Sequence, residues 1–468
     1  MYKLIWSIKA CGIFLLWAAT AAALPAQTFT TLHSFEGTDG SLPVGGLVQA
    51  SNGDLYGTAS FGADNARYGT VYKLTPGGTL TTLLSFDYTD GDGPSAALIQ
   101  ATDGEFYGTT PNGGTAKGEG GTVFKITASG TLTTLHNFCS QTGCPDGLEP
   151  LAGLVQATDG NFYGTTCCGG ANGNWGTIFK LTPGGTLTTL HSFDGTDGYG
   201  LKAGLVQATN GKFYGTTADG GATGYGTVFE ITPDGKLTTL YNFCSQANCT
   251  DGFEPFAGLV QATDGNFYGT TEEGGANRYG TVFTITPSGV LTTLFSFDET
   301  DGAYPVAGLV QATDGNFYGT TSDGGANGDG TIFNITPAGA LTTLHNFDDT
   351  DGEFPVAGLV QGTNGNFYGT TSKGGANNDG AVYALSVGLG PFVKTNPAAG
   401  KVGAKVGILG TDLTGATSVT FNGSAAEFTV KTQSLIIAKV PSGANTGTVQ
   451  VQLPSGTLSS NVPFIVLR

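Results

Sequence analysis

The chain has 468 residues, a formal net charge of −18 at pH 7 and 79 glycines. So acidic a surface argues against binding to nucleic acids or anionic membranes, because like charges repel each other. It is compatible with neutral glycans, basic partners and divalent cations. After the N-terminus no stretch shows the 3.6-residue periodicity of helices, so an all-β chain is predicted.

Residues 1–26 have the pattern of a secretory signal peptide. Lys3 and Lys9 precede an apolar run from Ala10 to Leu24, and alanine-rich residues come before Gln27. The apolar run is too short to span a bilayer comfortably. We therefore expect a secreted protein, extracellular or periplasmic, without a membrane span.

Tyr-Gly-Thr recurs seven times, at intervals of 50 to 56 residues. A repeat of this length is typical of a solenoid or a propeller. In one unit, residues 305–354, four short segments rich in apolar, aromatic and β-branched residues alternate with tight turns and one glycine-rich loop. This pattern predicts the four-stranded blade of a β-propeller. The tripeptides begin at Tyr56, Tyr107, Tyr163, Tyr214, Tyr268, Tyr318 and Tyr368.

The ends of the repeat region predict how the ring closes. Residues 30–35 have the sequence of a fourth strand with no blade before it, and residues 380–385 that of a third strand with no fourth after it. Pairing of these two strands removes the edges that an open array would expose. We therefore predict a seven-bladed β-propeller over residues 27–387, closed by an N-terminal strand clasp.

The repeat pattern is lost at a short linker, residues 388–390, and residues 391–468 carry a net charge of +4. About seven short strands with turn signals predict an immunoglobulin-like sandwich. The segments 396–400, 406–423 and 440–449 resemble the IPT/TIG family. This resemblance implies a non-catalytic domain that serves as a spacer or binding module.

The repeat itself resembles the secreted Gloeo/Verruco (GloVer) repeat family over residues 28–387. The resemblance lies in Gly-Leu-Val-Gln-Ala-Thr-Asp-Gly-Asn-Phe-Tyr-Gly-Thr-Thr, then Gly-Gly-Ala-Asn, Gly-Thr-Val-Phe and Leu-Thr-Thr-Leu, as at residues 258–294. It implies secretion and a repeat fold, and it implies no particular reaction.

Strand alternation places all the longer connections on one face of the ring, where binding residues are commonly found. These are the glycine-rich loops and the acidic loops that lead into each following blade. The glycine-rich loops vary most between blades and supply most of the predicted ligand-binding residues. The candidates are Tyr68, Trp175, Tyr225, Glu272, Glu273, Arg278, Tyr279 and Asp323.

The acidic loops offer carboxylates that could hold Ca²⁺, at Asp298, Asp301, Asp348 and Asp351. The alternative is that these acids close their loops, because a cysteine replaces the first acid in two blades. No other cofactor is predicted.

Six cysteines remain after the predicted signal peptide. Cys139 with Cys144, and Cys244 with Cys249, are predicted to form local disulfides, which fits an exported protein. The adjacent Cys167 and Cys168 are predicted as a vicinal disulfide or as free thiols, with a metal or redox role as a third possibility.

Two further repeated positions are predicted to serve packing. The four histidines share one strand position with Leu84, Tyr241 and Phe295, which suggests an apolar site. The seven glutamines of the inner strands, one in each blade, are expected to satisfy neighbouring backbone groups. The histidines are His33, His136, His191 and His345.

The sequence favours a non-catalytic recognition or scaffold protein that binds an extracellular glycan or protein through the long-loop face. The alternative is an extracellular polysaccharide lyase or hydrolase with a site at the mouth of the ring. Glu272 and Glu273, near Arg278 and Tyr279, form the least repetitive charged cluster, but no catalytic set is assigned.

Overall fold

The structure is a computed structural model that describes residues 27–62, 67–115 and 120–467. The predicted signal peptide, residues 1–26, lies outside the described residues. The described chain is built from β-strands, with one short 3-10 helix at Ala247–Cys249. None of its helices is long and apolar enough to cross a membrane.

Seven four-stranded antiparallel sheets follow one another along the chain, and each is one blade of the predicted propeller. Blades one and two contain β2 (Val48–Gln49), β3 (Leu55–Ala59), β4 (Thr70–Leu74), β5 (Leu80–Ser85), β6 (Ile99–Gln100), β7 (Phe106–Thr110), β8 (Thr122–Ile126) and β9 (Leu132–Asn137). Blades three and four contain β10 (Val155–Gln156), β11 (Phe162–Thr166), β12 (Thr177–Leu181), β13 (Leu187–Ser192), β14 (Val206–Gln207), β15 (Phe213–Thr217), β16 (Thr227–Ile231) and β17 (Leu237–Asn242). Blades five and six contain β18 (Val260–Gln261), β19 (Phe267–Thr271), β20 (Thr281–Ile285), β21 (Leu291–Ser296), β22 (Val310–Gln311), β23 (Phe317–Thr321), β24 (Thr331–Ile335) and β25 (Leu341–Asn346).

Blade seven confirms the predicted clasp. It combines β26 (Val360–Gln361), β27 (Phe367–Thr371) and β28 (Ala381–Ser386) with β1 (Thr28–Ser34) from the start of the described chain. The antiparallel pairing of β1 with β28 begins at Thr28 opposite Ser386 and ends at Ser34 opposite Ala381. The Phe29 ring of β1 stacks on His345 of blade six, with the ring centroids 3.8 Å apart. The first strand therefore closes both the last sheet and its contact with the preceding blade.

The tyrosine of each Tyr-Gly-Thr packs against the next blade. The Tyr214 ring stacks on Phe267, with centroids 4.1 Å apart, and five other blade junctions repeat this contact at 4.0 to 4.1 Å. The following glycine is required because a Cβ on Gly215 would lie 2.6 Å from Phe229 Cζ. The repeated tripeptide therefore builds the interface between blades.

The glutamines of the inner strands join neighbouring blades, as the sequence predicted. Gln261 Oε1 accepts a hydrogen bond of 2.9 Å from the backbone N–H of Thr209 in the preceding blade. Six equivalent bonds, 2.8 to 3.2 Å long, complete the circle, and the last joins Gln49 in blade one to Thr363 in blade seven. We call these seven bonds the glutamine ring.

The C-terminal part confirms the predicted sandwich, but it has ten strands where about seven were expected. The extra strands are short edge pairs that carry too few residues to stand out as separate apolar runs. Two four-stranded sheets, β29-β31-β35-β34 and β33-β32-β36-β37, enclose one core, and β30 pairs with β38 in parallel. The strands are β29 (Lys394–Asn396), β30 (Ala399–Lys401), β31 (Lys405–Leu409), β32 (Ser418–Phe421), β33 (Ser424–Ala425), β34 (Phe428–Thr432), β35 (Leu435–Lys439), β36 (Val449–Leu453), β37 (Gly456–Ser459) and β38 (Ile465–Leu467). The exact domain limits, 27–387 and 391–468, stay a prediction.

The sandwich contacts the ring at its short-turn face. Lys394 Nζ donates a hydrogen bond to the carbonyl of Gln361 in blade seven, and Asn396 Nδ2 donates one of 3.0 Å to the carbonyl of Gln100 in blade two. Ser434 Oγ donates another, of 2.9 Å, to the carbonyl of Ser51 in blade one. All three acceptors lie in or just after the innermost strands, so the sandwich contacts the inner part of blades seven, one and two on the face opposite the long loops.

We predict that a chain starting at Phe35, which lacks β1, is less stable than a chain starting at Gln27. The loss exposes the edge of β28 and removes the Phe29 contact with His345. We expect the melting temperature to fall by about 5 °C or more and the protein to self-associate. Thermal unfolding followed by circular dichroism, with light scattering for mass, would measure both effects. Equal melting temperatures and a monomeric truncated chain would contradict the role assigned to the clasp.

Candidate functional site

The two sets of long loops form one layer on the same face of the ring. We call the segment between the fourth strand of one blade and the first strand of the next a connector. In blade five, Phe253 of the connector and Glu273 of the glycine-rich loop exchange backbone hydrogen bonds of 2.9 and 3.2 Å. Isolated β-bridges join the same two segments in all seven blades. The loop face is therefore held by backbone pairing, and its side chains are free to differ.

The acidic loops are closed by their own carboxylates. Asp351 Oδ1 accepts a hydrogen bond of 3.0 Å from the N–H of Asp348, and Asp348 Oδ1 accepts one of 2.9 Å from the N–H of Thr350. Asp298 and Asp301 repeat the first contact at 3.1 Å. This arrangement supports loop closure, the alternative that the sequence left open.

The histidine position is not simply apolar, and this part of the sequence interpretation was wrong. His345 Nε2 lies 2.9 Å from Asp351 Oδ2, and the other three histidines contact the equivalent aspartate at 2.6 to 2.9 Å. In blade four, the Tyr241 hydroxyl donates a 2.8 Å hydrogen bond to Asp251. Imidazole and phenol reach the acidic loop while their rings pack on the neighbouring phenylalanine, so one site serves both packing and polar contact.

Leu84 and Phe295 fill the same position in the remaining blades and offer no polar partner. Their acidic loops contain Asp90 and Asp301. Burial raises the pKa of both carboxyl groups above its ordinary value. In the other blades the histidine or tyrosine provides a polar partner for the equivalent carboxylate.

Two side-chain groups within the described residues bring enough potential ligand atoms together for a cation. They are Glu149 with Cys167 and Cys168, and Asp329 with Asp349 and Glu353. None of the four aspartates predicted to bind calcium belongs to either group, so calcium at Asp298, Asp301, Asp348 and Asp351 stays a prediction.

In the second of these groups, one carboxyl group has a pKa above its ordinary value. Asp349, burial and nearby Asp329 together raise the pKa of Glu353 to about 7.

The cysteines divide into two kinds. Disulfides join Cys139 to Cys144 and Cys244 to Cys249. Cys167 and Cys168 are free thiols, so the vicinal disulfide is not formed. Adjacent Cα atoms are only about 3.8 Å apart across a trans peptide bond, shorter than the span of about 4.4 to 6.8 Å that disulfides usually bridge.

Paired aromatic rings mark three consecutive blade junctions on the loop face. In each pair, one ring comes from a glycine-rich loop and the other from the following connector, with centroids 4.9 to 6.1 Å apart. Two of the loop rings remain open to solvent, with Trp175 37% and Tyr225 45% exposed. We call this set the aromatic arc, and it comprises Trp175 with Tyr199, Tyr225 with Phe253, and Tyr279 with Tyr304.

A charged cluster lies beside the middle of the arc, where two connectors lead into the innermost strands. Lys202 Nζ lies 3.5 Å from the centroid of the Phe256 ring. Glu272 N–H donates a 3.0 Å hydrogen bond to the carbonyl of Glu254, which places these two residues side by side. Burial and repulsion by Glu254 raise the pKa of Glu272. Burial and repulsion by Glu273 raise the pKa of Glu254. The cluster combines two partly dehydrated carboxylates with one ammonium group.

A pocket of about 490 Å³ lies on the loop face between blades five and six. Tyr279, Tyr304 and Asp323 line it, and the Tyr279 hydroxyl donates a 2.9 Å hydrogen bond to Glu299. The structure therefore brings Tyr279 and Asp323 together, as the prediction of a shared loop face required. Arg278 is exposed, with a left-handed backbone (φ 72°).

Tyr68 lies apart from the arc, next to Tyr88, at the junction of blades one and two. Five of the connector residues described above were not among the residues predicted from the sequence. The signal was present, because the connector positions vary between copies far more than the strands do. The missed residues are Tyr199, Lys202, Phe253, Glu254 and Tyr304.

Residues 20–211 and 202–422 match the Gloeobacter/Verrucomicrobia repeat, and residues 392–466 match the IPT/TIG domain. Both matches agree with the resemblances drawn from the sequence. No curated protein matches the chain.

Several solved structures are similar to this chain at low sequence identity. The extracellular domain of a hybrid two component system from B. thetaiotaomicron is 12% identical, with a TM-score of 0.51, over 91% of this chain and 54% of that chain. This chain thus spans about half of that protein. PorZ, a surface component of the type-IX secretion system of Porphyromonas gingivalis, is 16% identical (TM-score 0.45; 89% and 58% covered). A gluconolactonase from Xanthomonas campestris is 14% identical (TM-score 0.42; 79% and 92% covered). At such identities the likeness shows the fold alone.

We predict that Glu272→Gln stabilises the protein at neutral pH. The raised pKa means that the folded state favours the protonated carboxyl group, so its stabilising contribution is lost as pH rises above the ordinary value of 4.5. Removing the charge should raise the melting temperature at pH 7.5 and leave it unchanged below about pH 4. Thermal unfolding across this pH range measures the difference. Glu36→Gln, at an exposed loop position, is the control, and an equal rise in both variants would contradict the prediction.

Proposed function

The chain belongs to the Gloeobacter/Verrucomicrobia repeat family, and we propose that it is a secreted, non-catalytic recognition protein that binds an extracellular glycan. The aromatic arc is the observation that carries the proposal. Its three ring pairs occupy consecutive junctions and include two rings that remain substantially exposed. Several platforms in a row suit a chain of sugars better than a single small molecule.

The physical basis is the match between aromatic rings and the apolar faces of sugar rings. An exposed aromatic ring gains contact area when a sugar covers it, while the polar groups of the sugar remain free to form hydrogen bonds. The Trp175 ring packs against Tyr199 and lies beside Gly195, so its side chain has lost part of its freedom before a ligand binds. The arrangement is therefore preorganised for stacking.

The polar groups around the arc favour a neutral or cationic sugar over an anionic one. Glu254, Glu273 and Asp323 lie close enough to Glu272 to raise its pKa, whereas nearby Lys202 lowers that pKa. Carboxylates accept hydrogen bonds from sugar hydroxyl groups but repel carboxylated or sulfated sugars. We therefore propose a neutral glycan as the ligand class.

Export is part of the same proposal. Two local disulfides are consistent with an oxidising compartment, and the predicted signal peptide would direct the chain there. The sandwich on the opposite face leaves the arc uncovered, so it can act as a spacer or a second contact without blocking the ligand.

We predict that Trp175→Ala weakens binding to a neutral oligosaccharide about tenfold, the effect of losing one stacking contact worth about 1.4 kcal/mol. A glycan array identifies the ligand, and calorimetry with the mature protein measures affinity in calcium and in a chelator. Tyr68→Ala is the matched control, because Tyr68 is also paired with a tyrosine but lies outside the arc. Loss of binding in the chelator would instead support calcium in the acidic loops.

Two results would contradict the glycan proposal. No binding by the mature protein in either buffer, or equal losses for the two variants, would shift the interpretation to a protein partner or a scaffold role.

A second candidate function is hydrolysis or lyase cleavage of a polysaccharide, and the pair Glu254 and Glu272 favours it. Glycoside hydrolysis commonly uses two carboxyl groups, one of which keeps its proton near neutral pH because its pKa is raised. Release of reducing ends or of unsaturated sugars from a bound polysaccharide would reveal such turnover. Turnover that falls at least 100-fold in Glu272→Gln, with affinity retained, would replace the non-catalytic proposal.

A further inference from the structure

Blade three carries a cluster of two thiols and a carboxylate that is not repeated in the described residues of the other blades. Cys167 and Cys168 directly follow β11, and Glu149 lies in the connector that leads into this blade. Backbone hydrogen bonds fix them side by side, since Cys167 N–H donates to the carbonyl of Glu149 at 3.1 Å and Leu148 N–H to that of Cys168 at 2.9 Å. The backbone thus presents two thiols and a carboxylate at one point of the loop face.

The two cysteine sulfur atoms lie close to one carboxylate oxygen of Glu149. Glu149 Oε2 lies 3.4 Å from Cys167 Sγ and 3.8 Å from Cys168 Sγ, and the three ligand atoms all lie within 4.8 Å of one another. In a tetrahedral zinc site, bonds of about 2.3 Å to sulfur and 2.0 Å to oxygen place the sulfur and oxygen about 3.5 Å apart. The observed separations bracket this value, so the spacing of the two sulfur atoms from the carboxylate oxygen matches that of a zinc site.

We propose that Glu149, Cys167 and Cys168 form a Zn²⁺ site with three protein ligands and a fourth position for water. Two thiolates and a carboxylate suit zinc rather than calcium or magnesium, which take oxygen ligands. Binding replaces two S–H bonds with two Zn–S bonds and releases two protons to solvent, without any change of oxidation state.

The other blades show that these residues are not needed for the fold. At the two cysteine positions, blade six has Ser322 and Asp323, and blade seven has Ser372 and Lys373, with the same backbone bridges. At the Glu149 position, blades two and four have glycine. The cluster therefore adds chemistry to a scaffold that forms without it.

The two thiols are not consumed by a disulfide, so both can bind a metal ion. The protein forms two disulfides elsewhere, yet Cys167 and Cys168 are free, and their adjacency opposes a bond between them. A bound zinc ion would hold both sulfurs as thiolates and provide the positive charge that the carboxylate and two thiolates require.

The test is zinc uptake by the full mature protein. After reduction of Cys167 and Cys168, loading with Zn²⁺ and desalting, elemental analysis should find one zinc per chain. Co²⁺ in place of zinc should produce a thiolate-to-metal absorption band in the near ultraviolet. Competition with a coloured chelator should show affinity at least about 100-fold weaker for Cys167→Ser and Cys168→Ser, and about tenfold weaker for Glu149→Gln.

The control is Glu254→Gln, because Glu254 occupies the position of Glu149 in blade five but has no cysteines beside it. It should bind zinc like the unchanged protein, and thermal unfolding confirms that every variant is folded. Uptake below about one tenth of an ion per chain, or equal uptake by the cysteine variants, would overturn the site. A Cys167–Cys168 disulfide that survives reduction of the protein, detected by mass spectrometry, would overturn it as well.

Discussion

The glutamine ring is the contact on which the rest of the architecture depends. Each inner strand has two residues, too few to join neighbouring blades by itself. The glutamine at its end reaches the backbone N–H of the preceding blade, and the same bond between Gln49 and Thr363 joins the two ends of the repeat region. Since such a backbone donor is costly to leave without a partner, every blade requires its neighbour. Seven equal contacts fix the rotation between blades and therefore the circular closure.

The different roles of the blade junctions and of the loop face explain where the sequence varies. Strands, tyrosine stacks and glutamines repeat because each blade junction needs them, whereas the loop face is held by backbone bridges that do not depend on side-chain identity. The connector residue directly after each β-bridge has a positive φ. In five blades this residue is Leu42, Glu149, Glu254, Tyr304 or Phe354. Non-glycine residues pay an energetic cost for this conformation, and the bridges on either side maintain it. The same backbone shape thus presents a different side chain in each blade.

Most of the fold could be predicted because it is repeated. Seven copies of one pattern indicated the strands, and the unmatched strands at the two ends indicated the clasp that β1 and β28 form. Packing of the tyrosines and glutamines followed because every blade shares them. The number of strands in the sandwich was underestimated, since pairs such as β33 have only two residues and no periodicity to detect.

The candidate site was harder to predict because it depends on contacts between segments that are distant in sequence. Trp175, Tyr225 and Tyr279 stood out as aromatic loop residues, but the connector rings that support them could be assigned only from the folded structure. The histidines were misinterpreted for a related reason. Substitution by Leu84 or Phe295 indicated an apolar site, yet imidazole reaches an aspartate six residues further on. Exchange between residue types reveals the space that a position offers, and it does not reveal the polar contacts that one of those residues makes.

The pairing of β1 with β28 also determines the order in which the molecule can be assembled. Strands within the first six blades pair with neighbours close in sequence, so those blades can form while the chain is still emerging. The seventh blade cannot form in this way, because Thr28 pairs with Ser386 at the other end of the repeat region. The entropic cost of closing so long a loop grows only slowly with its length, but closure depends on the correct arrangement of every blade between the two strands. The final pairing thus acts as a checkpoint for assembly, since a chain with one misplaced blade cannot complete its ring.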